Sequence, residues 1–223
     1  MSGFRYQVLS FILLWVLVSC TPEVVDNTRI VVSGRLVNAV GDAVPEADIE
    51  VFVANRNFLL GEGMSGLDGS FEVPSFYSRF ERFVIQIDKG SEYSTYQREL
   101  NTVNYTPEGF ELNLGQIELR RQTSFDLKVE RISGEGNEIQ LSISYVLPYC
   151  FEFFEEPDQE VSNSQCYPLQ SRVIALNDDS PNFDASYNAV TSVPVIISYS
   201  INNGPDIVQE FNLNEIQEVT ISY

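Results

Sequence analysis

The residues able to do chemistry in this chain are few in kind. Its 223 residues include three cysteines, 32 acidic residues and no histidine. Without histidine there is no Ser-His-Asp triad and no imidazole general base. A cysteine nucleophile needs a base beside it, so Cys150 and Cys166 read as structural rather than catalytic. No glycine-rich loop follows a strand and opens a helix, which removes the usual phosphate cradle. Paired carboxylates remain, but among 32 acidic residues some are neighbours by chance. The expectation is a non-catalytic protein with no cofactor and no catalytic metal.

Two clusters could bind rather than react. Asn177-Asp178-Asp179-Ser180-Pro181-Asn182-Phe183-Asp184 could offer calcium several oxygens from one loop, although it matches no EF-hand spacing. The other reading, which the residue types favour, is a solvated inter-strand loop whose Asx and proline residues set turns. Phe151, Phe153 and Phe154 stand beside Glu152, Glu155 and Glu156. They could stack on sugar rings or anchor a protein partner, or they could pack beneath the segment between Cys150 and Cys166.

The first nineteen residues have the layout of an export signal: Arg5 near the start, an apolar run from Val8 to Val18, then Ser19 before Cys20. A membrane span needs roughly 20 apolar residues, and this run is broken at once by Thr21, Pro22 and Glu23. Leu17-Val18-Ser19-Cys20 also resembles the bacterial lipobox, which implies cleavage before Cys20 and lipid on that cysteine. A multi-chain anchor of that kind would hold the protein at the membrane of the cell envelope, most naturally the outer membrane. Residues 1–19 then form the signal peptide and residues 20–28 a lipidated tether. Export into an oxidising compartment leaves Cys150 and Cys166 as an even pair, expected to form a disulfide rather than two buried thiols. Closing that loop is worth roughly 3 kcal/mol in the chain-entropy picture.

Charge narrows the partners. Thirteen basic against 32 acidic residues give a formal charge of -19, and loss of Arg5 with the signal peptide makes it one unit more negative. Such a chain repels nucleic acid, and its acidity serves solubility more readily than it marks a site.

The elements that must hold these residues are strands. Short alternating runs separated by turn residues are expected at residues 29–37, 48–54, 70–73, 83–88, 93–100 and 113–119. Beyond Arg120-Arg121, Phe125, Leu127 and Val129 alternate with polar residues, and after Gly134-Glu135-Gly136-Asn137 so do Ile139, Leu141, Ile143 and Tyr145, which predicts a hairpin. A second hairpin is expected from Val195 to Ile201, through Asn202-Asn203-Gly204-Pro205, to Ile207–Leu213, with a last strand over residues 218–223.

Three segments carry a family likeness: Val32-Ser33-Gly34-Arg35-Leu36-Val37, Val44-Pro45-Glu46-Ala47-Asp48-Ile49-Glu50-Val51 and Gly66-Leu67-Asp68-Gly69-Ser70-Phe71-Glu72-Val73. Together they resemble a carboxypeptidase regulatory-like domain. The resemblance implies a seven-stranded, prealbumin-like sandwich in which Gly34 admits a close neighbour and Asp68-Gly69 turns the chain so that Phe71 enters the core. Where that family has glycine before its alanine, this chain has Glu46. No peptidase follows, since the catalytic unit beside which such modules occur needs histidine zinc ligands. The expected architecture is all-β: a prealbumin-like sandwich over residues 29–120 and a second antiparallel β domain over residues 121–223. The expected role is a binding or accessory module of a surface assembly, capturing glycan or nutrient with an envelope protein or glycan as partner, in the style of Bacteroidota lipoproteins. The alternatives are a structural or adhesive spacer and, further off, a carboxylate-based hydrolase.

Overall fold

The computed structural model describes residues 24–54, 58–78, 81–101, 111–155, 158–214 and 216–223. The expected signal segment 1–19, Cys20 and Thr21 to Glu23 lie outside the described residues. Among the described residues the chain is built from strands, with two single-turn 3-10 helices at Gly90–Glu92 and Val161–Asn163.

Seven strands come first: β1 (Val24–Val37), β2 (Asp48–Val53), β3 (Phe58–Met64), β4 (Ser70–Ser78), β5 (Arg82–Asp88), β6 (Thr95–Asn101) and β7 (Glu111–Glu118). β1 begins at Val24, so half of the expected tether is already strand. The alternation that predicts these strands also decides what they bury. β4 turns Phe71, Val73, Ser75 and Tyr77 inward and Glu72, Pro74 and Phe76 outward. One sheet has the order β4-β1-β7 and faces a larger one running β3-β2-β5-β6. Between them lie Val32, Leu36, Ile49, Val51, Phe71, Phe83, Ile85 and Ile87, each at most 4% exposed. Burying each such side chain contributes about 1.5–3 kcal/mol, which is what holds the two layers together.

The family-like segments behave as expected. A Cβ on Gly34 would stand 2.8 Å from Phe71 Cζ, so the Phe71 ring occupies the space that glycine leaves. Gly69 has a φ of +78°, and a Cβ there would fall 2.3 Å from the Leu36 carbonyl oxygen. Leu36 N–H donates to the Gly69 carbonyl at 2.8 Å, closing the turn against β1. Asp68 Oδ1 accepts from Ser70 N (3.1 Å) and Ser70 Oγ (2.6 Å), and the Ser70 hydroxyl holds the Asp68 carboxyl below its ordinary value.

The later strands are β8 (Gln122–Glu130), β9 (Ile139–Val146), β10 (Tyr149–Glu155), β11 (Asp158–Gln159), β12 (Gln165–Cys166), β13 (Leu169–Leu176), β14 (Phe183–Val190), β15 (Val195–Ile201), β16 (Ile207–Phe211) and β17 (Glu218–Ser222). A four-stranded sheet, β13-β9-β15-β16, faces a three-stranded one, β14-β8-β17. Their core holds Phe125, Leu127, Val129, Ile139, Leu141, Ile143 and Ile197. Phe125 stacks on Tyr187 with ring centroids 5.4 Å apart and meets Tyr145 edge-on at 6.0 Å.

Two pairings depart from the sequence reading. β8 and β9 do not form a hairpin; β8 pairs with β14 and β17, and β9 with β13 and β15. Both strands alternate because both bury one face in the same core, but they do so from opposite sheets. Period two reports the buried face and is silent on the partner. The β15–β16 hairpin does form, with Val195 opposite Phe211 and left-handed Asn202 and Asn203 (φ 53° and 56°) in its connection. The second departure is that β10, although it follows β9 in sequence, leaves the second core. It pairs in parallel with β6, extending the larger sheet of the first sandwich, with β11 and β12 pairing on β10. Residue 120 therefore separates two cores, while residues 149–166 belong to the sheet of the first.

Candidate functional site

The β10 sequence Tyr149-Cys150-Phe151-Glu152-Phe153-Phe154-Glu155 explains why this strand can join a foreign sheet. Cys150 and Phe154 pack on the first core, and period two places Glu152 on the same face. Opposite them on β6 stand Tyr96, Arg98 and Leu100, in the register Cys150–Tyr96, Glu152–Arg98 and Phe154–Leu100. Arg98 Nη2 donates to Glu152 Oε2 at 2.8 Å, with both side chains under 20% exposed. Arg98 Nε also donates to the Tyr96 hydroxyl oxygen at 2.7 Å, while that hydroxyl donates to Glu152. The Arg98 guanidinium lies 4.5 Å from the centre of the Phe154 ring. Burial pushes the Tyr96 phenol well above its ordinary value, so it stays a donor.

Cys150 and Cys166 form the expected disulfide, across the β10–β12 pair. The bond sits beside Tyr167, whose hydroxyl donates to the Glu118 carbonyl at 2.6 Å and whose ring carries the Arg120 guanidinium at 4.2 Å. Arg120 Nε in turn donates to Glu118 Oε1 at 2.8 Å. Tyr96, Arg98, Glu118, Arg120, Glu152 and Tyr167 line a cleft of about 290 Å³ at the open edge between the two sheets. It contains two carboxylates, but each is engaged by its own arginine, and no base stands free to work with the other. Among the described residues, the grouping of metal-ligating types is Cys150, Glu152 and Cys166, and its two sulfurs are joined to each other.

This cleft adjoins the place where the chain passes between the sandwiches. It crosses at residues 119–122, 146–149 and 167–169, and each crossing is held. Gln122 Nε2 donates to the Tyr93 and Gly90 carbonyls (2.5 and 3.2 Å), and Arg121 stacks over the Tyr93 ring at 5.1 Å. Ser94 N–H donates to the Arg120 carbonyl at 2.8 Å, Thr95 N–H to Pro148 at 3.2 Å and Leu147 N–H to Pro168 at 3.0 Å.

The Asn177–Asp184 loop lies at the opposite end of the second sandwich. Side-chain oxygens of Asn177, Asp178 and Asn182 accept hydrogen bonds from the protein. Asp178 accepts from Gly136 N–H at 3.0 Å and pairs with Arg131, contacts that hold its carboxyl below the ordinary value, the Gly136 bond foremost. Asn177 Oδ1 accepts from Asp179 N–H, and Asn182 Oδ1 from Arg131 N–H, both at 3.0 Å. The Asn177 bond sets a turn within the loop. The phenylalanines divide: Phe154 packs on the first core, while Phe151 and Phe153 stand half-buried on the other face of β10. Cys20 lies outside the described residues. Among the described residues no helix is long and apolar enough to cross a membrane.

The Tyr96–Arg98–Glu152 triad escaped the sequence reading because Glu152 lies more than 50 residues from the other two and meets them only through a parallel pairing. The one available signal was the lone carboxylate, Glu152, inside an aromatic run.

No family model and no curated protein matches the chain. Solved structures with partial likeness include the Bacillus anthracis TIE protein (10% identity, TM-score 0.33, covering 88% of this chain and 33% of that one). The shaft pilin SpaA of Lactobacillus rhamnosus GG gives 10% identity and a TM-score of 0.33, covering 87% and 96%. The tip fimbrial protein Mfa3 of Porphyromonas gingivalis gives 9% and 0.31, covering 82% and 81%. The chain spans a third of the length of the Bacillus protein. Likenesses at this level carry no argument about function.

Proposed function

We propose that this chain is a non-catalytic spacer of the bacterial cell envelope, lipid-anchored through Cys20, which holds a structural or adhesive surface away from the membrane. The observation that carries this reading is a shared feature of the two sandwiches. In each, the strand by which the chain enters lies beside, and parallel to, the strand before an exit: β1 with β7 from Val31–Glu111 to Val37–Glu118, and β8 with β17 from Asp126–Glu218 to Glu130–Ser222, although the chain later returns to the first sandwich through β10. Parallel entry and exit strands bring the chain in at one end of a sandwich and out at the other. Repeated twice, this puts Val24 and Tyr223 each at the end of its own sandwich remote from the crossing at residues 119–122. The disulfide supports an oxidising, exported location.

Glycan or nutrient capture has less support. The aromatics it would use are half-buried or packed on the core, and the charged groups lining the cleft are paired with one another.

Small-angle scattering on the chain lacking residues 1–19, with Cys20→Ala, tests the arrangement. Two sandwiches of about 100 residues, each with a radius of gyration of about 13 Å and centred about 35 Å apart, give about 22 Å, against about 16.5 Å for one compact body. A value near the lower figure would overturn the spacer. Membrane partitioning of the intact chain against Cys20→Ala tests the anchor, and equal partitioning would remove it.

A further inference from the structure

We propose that both sandwiches are shear clamps, so that the protein carries tension between its N-terminal side and whatever its far end holds. The inference rests on the spacer reading for the direction of the load, and otherwise on strand geometry alone. Pulling β1 by its start and β7 by its end draws two hydrogen-bonded neighbours past each other along their length. The bonds of a ladder are then strained together, in two blocks in the first sandwich, where the β1–β7 register shifts between Ser33 and Arg35. Pulling two antiparallel neighbours from a shared end peels their bonds one at a time.

The ladders are extended beyond the strands at the points where such a load would arrive. Leu119 N–H donates to the Val37 carbonyl at 2.8 Å, past the last β1–β7 pair. In the second sandwich Asp126 N–H donates to Gln217 at 2.8 Å before the ladder begins. At its other end Tyr223 N–H donates to Glu130 at 3.1 Å, and the Tyr223 carbonyl accepts from both Ile132 and Ser133 N–H at 2.8 and 2.9 Å. The Tyr223 ring is 5% exposed, and its hydroxyl donates to the Pro181 carbonyl at 2.8 Å. Lys128 and Glu218 bridge the same two strands at 3.3 Å. The load-receiving strand is thus pinned at both ends and across its width.

The disulfide adds a stop. Cys150 and Cys166 are 16 residues apart, and the bond takes the residues between them out of any extended path. Because β10 sits in the first sandwich while β9 and β13 sit in the second, that stop acts where the two bodies join.

Single-molecule pulling on the full chain, with Cys20→Ala and handles before residue 24 and after Tyr223, tests the proposal. Two unfolding events are expected. Reduction should lengthen the total released contour by roughly 55 Å, the reach of the 16-residue separation at ~3.5 Å per residue. For comparison, a handle at Phe76→Cys replaces the C-terminal one. Phe76 is 41% exposed and paired with Arg29, so this geometry peels β1 from β4 at their shared end. The first sandwich should then open at a force lower by about two-fold or more, since its bonds break singly. Equal forces in the two geometries would overturn the clamp, and an unchanged contour on reduction would overturn the stop. Either failure leaves the scattering test of the spacer untouched, and a compact scattering value would leave the clamp standing.

Discussion

Replacing Glu46 by glycine should stabilise the protein relative to replacing it by alanine, which reverses the usual order of these two residues. Glu46 has a φ of +54°, in the left-handed region. The surroundings impose that angle: Glu46 N–H donates to the Ser65 carbonyl at 2.9 Å, and Ala47 N–H donates to Ser65 Oγ at 2.9 Å. Ser65 Oγ in turn donates to the Val44 carbonyl at 2.9 Å. An L-residue there costs about 1–2 kcal/mol that glycine does not. Glycine's greater freedom in the unfolded chain returns about 0.5–1 kcal/mol. The difference favours glycine over alanine by about 0.5–1 kcal/mol, or about 3–6 °C in the first sandwich's Tm. The Lys89–Glu46 pair at 3.6 Å involves a largely exposed carboxylate, and both variants lose it, so it cancels. Urea denaturation with an unchanged slope measures the difference. If alanine equals or exceeds glycine, the backbone at Glu46 is not held left-handed.

Three further outcomes follow from the junction and the far loops. Reducing the Cys150–Cys166 disulfide should cost about 3 kcal/mol of stability, read from denaturation with and without reductant, since it frees a loop of separation 16. Glu152→Ala should cost about 2–3 kcal/mol because it removes the partner of a largely buried Arg98, whereas Arg98→Met with Glu152→Leu and Tyr96→Phe, which leaves no polar group of the cluster unpaired, should come close to wild type in the same assay. The Asp178 carboxyl is held low in the folded state, so its contribution is present above the ordinary value of 3.8 and is lost as the pH falls through the lower folded value. Asp178→Asn should therefore flatten the acid side of the stability profile, and an unchanged acid slope would show that its contacts with Gly136 and Arg131 do not persist in solution.

Legibility in the sequence followed physical form. Strands with clean alternation, such as those carrying Phe71 and Val73, or Val195 and Ile197, were placed because burial writes a period of two. β13 was missed because Leu169, Val173 and most of its other residues are exposed, so no alternation marks it. β14 does alternate, Phe183, Ala185, Tyr187 and Ala189 against Asp184, Ser186 and Asn188, but the small alanines and the adjoining Asn177–Asp184 turn residues weaken that signal, and β3 is interrupted by Gly61 and Gly63. The disulfide was legible from cysteine count and export together. The arginine–glutamate–tyrosine cluster was not, because a parallel pairing between distant segments leaves no local trace.

The β10 excursion also decides whether the first sandwich can stand alone. Cutting after residue 120 removes the strand that covers β6, and with it the partners of Thr95 through Asn101. The bared edge would present unpaired backbone groups beside Tyr96 and Leu100, which β10 helps to cover, and Arg98 would lose Glu152. Such an edge invites pairing with another copy, so residues 24–120 should self-associate on gel filtration where the full chain stays monomeric. A monomeric, cooperatively folding fragment would show that β10 is an ornament on a finished sandwich. Association would show that the two bodies complete each other, which a protein pulled from both ends requires of its joint.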